Sequence, residues 1–466
     1  MNLCRLTVSF GILALVLCIT LMCQAATEHI EAADAFRARV ADLEFAQYLA
    51  RTALLAEDLG STQSHLLELI DILLGTPDDP GSGLLDWAED EMRSSELMDI
   101  VRPSQRTAFS ASMDYVDGYL RVALAEAQLA LDQLGTSADS KANIQAAFSF
   151  LSSALGTPDE PLSLGGLRVA ASYLPPEIVV IGPDIPIEEA TAKMLPGSLL
   201  FLDTGEYSQG TLTLSRSIWI ARYPGASSTV RLMSSENTPA IIATNGAQVE
   251  LSDLTVCDSS IGLLLQEKAI VHISDVSITG HSLAGVVASD QSSLTIQRSA
   301  IRSNLRYGLR VTDTSRVFLS NSDISLNVSA APGAEGAGIC AQDAAMVTGT
   351  QCELFANRGY GIWGMGESTI VLSGSRIIYS RNGGIHLQEH SKLSLMASHV
   401  AINGRTDLSL HVQEYVERWS LEWNPSHEFA GSIEGFGNTT DTSFEGLRVC
   451  LGGFALPDGF FIDSGT

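Results

Sequence analysis

Asp323, Glu353, Arg376 and His399 are the residues best placed to do chemistry, because they follow one another at steps of 30, 23 and 23 positions. Two carboxylates on neighbouring turns of a regular structure can hold a cation, with Arg376 or His399 as base or as clamp on a substrate. The same charges also make a solvent-facing ion-pair row, since opposite charges on adjacent strands stabilise a sheet. That is the simpler reading. A second group, Tyr307, Arg310, Tyr360, Trp363 and His386, keeps similar spacing. Outward aromatic rings can stack on sugars and are hard to account for as core, so this group is the ligand-binding candidate. A third column reads Asn245, Glu267, Asp290, Asp313, Asp343, Gly366 and Glu389. Asp290, Asp313 and Asp343 could take calcium between them, the one cofactor the sequence suggests. Asp and Asn also favour turns for local hydrogen-bonding reasons alone.

What must position these side chains is a repeat. Segments that open on a small residue, usually Gly, continue with Ile241, Leu263, Val286, Leu309, Ile339, Ile362, Ile385 and Leu408. The steps between them are 22, 23, 23, 30, 23, 23 and 23, and the long one contains Val328–Glu335, a loop-like insertion. Eight residues after each start stands Val249, Val271, Leu294, Val317, Val347, Ile370, Leu393 or Val416. Fifteen residues after it come Val256, Ile278, Ile301, Ile324, Leu354, Ile377 and Val400. β-Branched columns separated by polar residues turn one face of each strand inward. Three short strands per coil of about 23 residues predict a right-handed parallel β-helix, an all-β solenoid whose coils stack ~4.8 Å apart.

Two further columns fit this register. Asn304, Asn327, Asn357 and Asn403 share one turn position, with Ser259, His281 and Ser380 in the other coils. Stacked amides can bond one another and the turn backbone. Ser299, Ser322, Cys352, Ser375 and Ser398 form an internal stack of small residues. Cys352 therefore stands in for a serine, and no bridge to the outward Cys340 is expected.

The entry segment carries a specific likeness. Ile187–Met194 reads as a short capping helix, followed by Pro196-Gly197 and then Gly205-Glu206-Tyr207. This phrase, with the coils after it, resembles the first rungs and generic repeats of pectin-lyase-like right-handed β-helix proteins over about Ile185–Arg405. The resemblance implies the fold and is nearly silent on activity, because that scaffold hosts lyases, hydrolases, epimerases, adhesins and metal-maturation factors. The Asn-x-Asp, Asp-Asp, Gly-His-Gly and Arg-x-Lys phrases of pectin hydrolases do not stand in the corresponding places. Gly280-His281-Ser282 lacks the second glycine, and Asp78-Asp79 lies outside the repeat.

Ahead of the solenoid, residues 26–157 read as a small α-helical bundle domain built from a duplicated helix pair. Phe45, Leu49, Leu54 and Leu59 mark one amphipathic stripe, and Leu120, Leu124, Leu131 and Leu134 another. The long helices are expected to close at Leu59-Gly60 and Leu134-Gly135. The shorter ones end in near-identical words, Leu74-Gly75-Thr76-Pro77-Asp78-Asp79-Pro80 and Leu155-Gly156-Thr157-Pro158-Asp159-Glu160-Pro161. These acidic turns lack the alternating donors of an EF-hand loop, and His65 reads as structural. Residues 158–186 make a Pro-rich linker, 187–416 the β-helix and 417–466 a C-terminal cap over the open end, with Trp419, Trp423, Phe429, Phe436 and Phe444.

Residues 1–25 look like a signal peptide: Arg5, the apolar run Leu6–Met22, then Cys23-Gln24-Ala25 as the cleavage site. The alternative is an uncleaved anchor. Cleavage would leave a mature chain without a membrane segment, in an extracytoplasmic compartment. Four of the seven cysteines lie beyond this segment, too few for a disulfide scaffold. A net charge of −27 argues against nucleic acid as a partner. The leading expectation is thus an exported, non-catalytic protein that binds a polysaccharide or cell-surface partner. A polysaccharide lyase or glycoside hydrolase working through Asp323, Glu353, Arg376 and His399 is the alternative. A periplasmic metal-enzyme maturation factor comes last, since His272, His281, His386, His390 and His399 are scattered over columns.

Overall fold

The computed structural model describes residues 2–75, 83–90, 94–135, 139–156, 166–208, 210–235, 237–328, 336–401, 403, 421–423 and 432–439, the side chains of residues 2–26, 89, 90, 95, 401 and 421–423 excepted. It divides into two compact units, 1–178 and 179–466.

In the first unit α1 (Asn2–Leu55), α2 (Leu59–Leu74), α5 (Arg106–Asp132) and α6 (Asp139–Leu155) form a closed ring. α1 packs on α2 and α6, and α5 packs on the same two. Short helices α3 (Leu84–Asp90), α4 (Ser95–Asp99) and α7 (Leu167–Ala171) fill in around them. The expected cleavage point after Ala25 falls within α1. Among the described residues no helix is long and apolar enough to cross a membrane.

The buried stripes differ from those expected. Phe45 and Leu59 are exposed, while Leu43, Ala46, Leu49, Ala50 and Ala53 face inward. On α5 the stripe is Val116, Leu120, Ala123, Ala127 and Ala130. Alanine carries no long side chain, so helices bearing it can approach closely and hide their backbones. Leu59-Gly60 begins α2 instead of ending α1, because Asp58 caps α2 by accepting from the Ser61 N–H at 2.8 Å. Gly135 does close α5 in the left-handed region, at φ 78°. The Asp78-Asp79 and Asp159-Glu160 turns lie outside the described residues.

The second unit is a parallel solenoid of three sheets. Among the described residues sheet 1 has eleven strands, and sheets 2 and 3 have nine each. One coil places Tyr307–Val311 in sheet 2, Arg316–Ser320 in sheet 1 and Asp323–Ser325 in sheet 3. The register follows the predicted columns: Val317 pairs with Leu294 and Val347, and Ile324 with Ile301 and Leu354. Leu309, Val311, Val317, Leu319 and Ile324 of this coil are all buried in one core that runs the length of the rod. Each such side chain contributes roughly 1.5–3 kcal/mol of burial.

The amide column forms as expected. Asn304 Nδ2 donates to Asn327 Oδ1 (2.9 Å), and Asn327 Nδ2 donates to Asn357 Oδ1 (3.0 Å). The same oxygens accept the backbone N–H one coil back, at 3.2 Å. In the coil before, His281 Nε2–H faces Val256 O at 3.2 Å, and Nδ1 lies 2.8 Å from Ser259 Oγ. Burial depresses this imidazole to a pKa of about 4. The small-residue column behaves likewise: the Cys352 N–H donates to Ser375 Oγ, and Cys352 Sγ to Thr350 O, the contact its serine counterparts make. Cys257, Cys340 and Cys352 are buried, and no disulfide joins them.

The glycine that opens each coil has a steric cause. A Cβ on Gly308 would stand 2.6 Å from Asn327 Nδ2 and 2.7 Å from Gly338 O. Pairing skips this residue, Tyr307 to Ala337 and then Leu309 to Ile339, so Tyr307 leaves the face that Leu309 keeps.

At the entry, α8 (Ile187–Lys193) seals the core with Ile187, as its sequence suggests. Tyr207 Oη donates within 3.0 Å of both Ile181 O and Asp203 O, and its burial raises the phenol pKa. Strand Ile178–Ile181 already belongs to sheet 1, so the linker ends earlier than expected. At the far end Leu421, not Leu408, pairs with Ile385, and Ile433, not Val416, pairs with Leu393. The segment assigned to a cap therefore supplies a further coil. Phe436 lies exposed on it, and Trp419, Phe429 and Phe444 fall outside the described residues.

Candidate binding faces of the solenoid

Parallel pairing brings Asp323, Glu353, Arg376 and His399 onto four successive rungs of sheet 3, facing outward. Arg376 Nη1 meets Glu353 Oε1 at 2.9 Å with both side chains about half exposed. Such pairs contribute under about 1 kcal/mol. His399 Nδ1 lies 2.8 Å from Thr439 Oγ1. Asp323 is half-buried, and burial, then the Glu353 charge, raises its carboxyl pKa. Its Oδ2 accepts from Ser325 Oγ (2.9 Å), while Oδ1 is buried with no partner. The arginine is thus spent on the glutamate, and the row has the geometry of an ion-paired face.

The acidic column occupies a left-handed turn, with φ between 52° and 65° from Asn245 to Glu389. Its carboxylates are used by the backbone. Asp313 Oδ2 accepts the Asp290 N–H and Asp343 Oδ2 the Asp313 N–H, both at 3.2 Å. Among the described residues no group of three His, Cys, Asp or Glu could hold a metal ion.

Tyr307, Arg310, Tyr360, Trp363 and His386 do meet, on the outer face of sheet 2. Tyr360 stacks on His386 with centroids 4.5 Å apart, and Trp363 lies 6.0 Å from Tyr360 and 6.2 Å from His386. They are not the open platform expected. Tyr307, Trp363 and His386 are buried, with Cys340, Ala284 and Ala337 between and beneath them. Small residues on intervening rungs let the large rings close over them. Burial also raises the Tyr307 phenol pKa, against the nearby arginine charges.

Arg306, which the sequence reading passed over, lies with its guanidinium 5.1 Å from the Tyr307 ring centre; Arg310 lies at 5.7 Å. The signal was there in Arg306-Tyr307-Gly308-Leu309-Arg310, once the bend at Gly308 is allowed for.

Sheet 1 shows another face that sequence reading missed. From Ser293 to Met396 five rungs present fifteen outward positions, among them Thr295, Phe318, Thr348, Val371 and Ser394 along the centre. Not one is a carboxylate, in a chain with 54 Asp and Glu. Nine carry a hydroxyl or amide, Arg316 and Lys392 supply the only charges, and Phe318 stands 42% exposed in the middle. The signal would have been the absence of acid seven, nine and eleven residues after each coil start from Val286 to Ile385.

A family model described as a right-handed β-helix region matches residues 239–333 and 332–417, the stretch over which the three sheets repeat. The second unit has the fold of a right-handed parallel β-helix. Among solved structures, the β-helix is similar to one titled "Crystal structure of pectate lyase Pel9A" at 13% identity and a TM-score of 0.33. The match covers 57% of this chain and 79% of that one. No curated protein sequence matches the β-helix chain significantly.

Proposed function

We propose that this protein is an exported, non-catalytic β-helix that binds an extended polysaccharide, free or at a cell surface, along the outer face of sheet 1. The observation that carries the reading is the carboxylate-free, hydroxyl-lined strip around Phe318 on an otherwise acidic molecule. Rigid rungs hold its donors at fixed spacing, so little entropy is lost when a stiff chain lies along them. Phe318 offers a ring for a sugar face. Export is supported by the Met1–Ala25 signature. In affinity electrophoresis against a panel of soluble glycans, the full chain should be retarded by at least one of them. Phe318→Ala should weaken that retardation about tenfold, which is about 1.4 kcal/mol. Unchanged retardation would remove sheet 1 from the account.

Asp323 favours a second reading, a lyase or hydrolase, because burial, and then the Glu353 charge beside it, raises its carboxyl pKa. Incubation with acidic and neutral polysaccharides, followed for unsaturated products and reducing ends, decides it. Turnover lost in Asp323→Asn would establish catalysis; a silent panel with calcium present would end the idea.

A further inference from the structure

Among the described residues of the solenoid, four of the arginines meet carboxylates: Arg222 with Asp253, Arg231 with Glu206 and Asp258, Arg298 with Asp275, and Arg376 with Glu353. Arg306 and Arg310 do not. Both guanidinium groups lie over the Tyr307 ring. Arg310 turns Nε and Nη2 onto a neutral acceptor, Gln342 Oε1, at 3.1 and 2.8 Å. Among the described residues neither forms an ion pair, although acids outnumber bases 54 to 27 in this chain. Arg306 also hydrogen-bonds the Tyr307 side chain, and a ring face offsets such a positive charge only in part.

A second observation on the same face points the same way. Trp363 is 5% exposed, and its indole Nε1–H is buried with no hydrogen-bond partner. It joins Tyr307 in one packed cluster through Cys340 and Ala337. A buried donor without an acceptor is an unmade bond. Uncompensated cations and an unmet donor share a need for one kind of atom, an anionic oxygen.

We propose that the outer face of sheet 2 carries an oxyanion subsite, in which Arg306 and Arg310 bind a carboxylate or sulfate group on a glycan and Trp363 supplies a further donor. Guanidinium groups suit both, because their planar N–H forks match the oxygen geometry. Tyr360, stacked on His386 at the rim, gives the sugar ring a surface. The subsite rests on the glycan reading above, but it lies on a different sheet from Phe318.

The test uses the full chain and three probes: a neutral glucan, its sulfated derivative and a polyuronate. The net charge of −27 repels polyanions in general, so a preference for one must be local. Wild type should bind at least one anionic probe about tenfold tighter than the neutral glucan at low salt, a gap that salt narrows. Preference for sulfate or for carboxylate identifies the source of the anion. R306Q/R310Q should abolish the preference and leave neutral binding intact. Trp363→Phe, which keeps a ring and removes the N–H, should reduce it several-fold. Equal binding of charged and neutral probes by wild type, or a preference that survives R306Q/R310Q, overturns the subsite and leaves the sheet 1 reading standing. No binding to any probe removes both.

Discussion

Asn327→Ala is expected to destabilise the solenoid by about 3–5 kcal/mol. One side chain serves three coils. Its Oδ1 accepts both the Asn304 N–H and Nδ2, and its Nδ2 donates to Asn357 Oδ1 and Ile301 O. All three asparagines are at most 1% exposed, so water cannot replace the lost partner without opening the stack. Each orphaned buried group costs about 1–3 kcal/mol, and alanine leaves several. Urea unfolding of the full chain followed by circular dichroism measures the loss. Thr350→Ala, an exposed change on sheet 1, is the control and should stay within about 0.5 kcal/mol. A loss below about 1 kcal/mol for Asn327→Ala would mean that the column is not a cooperative unit.

His281 makes the same column sensitive to acid. Its pKa falls from 6.5 to about 4 because it is fully buried between Ser259 and Asn304. The folded chain therefore takes up the proton later than the unfolded chain as pH drops. The contribution to stability is complete above pH 6.5, declines as pH falls toward 4, and is fully lost below that. The difference corresponds to about 3 kcal/mol. His281→Asn continues the amide column with a group that does not titrate. Denaturation midpoints of both proteins between pH 4 and 7 should converge at the acid end or cross, while the carboxylates common to both cancel. Parallel profiles would show that the imidazole charges without opening the coil.

How far all this could be read beforehand depends on which neighbours decide each feature. The inward columns were legible because one period sets them. Val317 finds Val347 across the 30-residue step as reliably as Val347 finds Ile370 across 23. The ion row from Asp323 to His399 and the amide column followed from the same arithmetic. Exposure did not. A side chain assigned to the outer face can still be covered by its neighbours on other rungs, and Tyr307 and Trp363 are covered in this way. The helical region misled for a related reason. Its buried stripe leans on alanines, whose burial reflects close helix approach more than hydrophobicity, while Phe45 and Leu59 face solvent. The last coil was misplaced because counting on by 23 from Ile385 reaches Leu408, while the chain pairs Leu421 there.

The corner insertion also says how such a rod can change length. Between Leu309 and Ile339 the chain carries 30 residues where its neighbours carry 23. Yet Tyr307 still pairs with Ala337, and Ser325 with Phe355, so the seven extra residues pass through without shifting any strand. Every ladder joins a residue to its equivalent one coil away and asks nothing of the coil beyond. A gene event that duplicates or deletes one whole coil would keep every donor facing an acceptor of the same kind. Any other length must be looped out at a corner or would turn core side chains into solvent. The molecule's inheritance is in this sense quantised: its length can vary in whole coils, its corners can vary freely, and its strands can hardly vary at all.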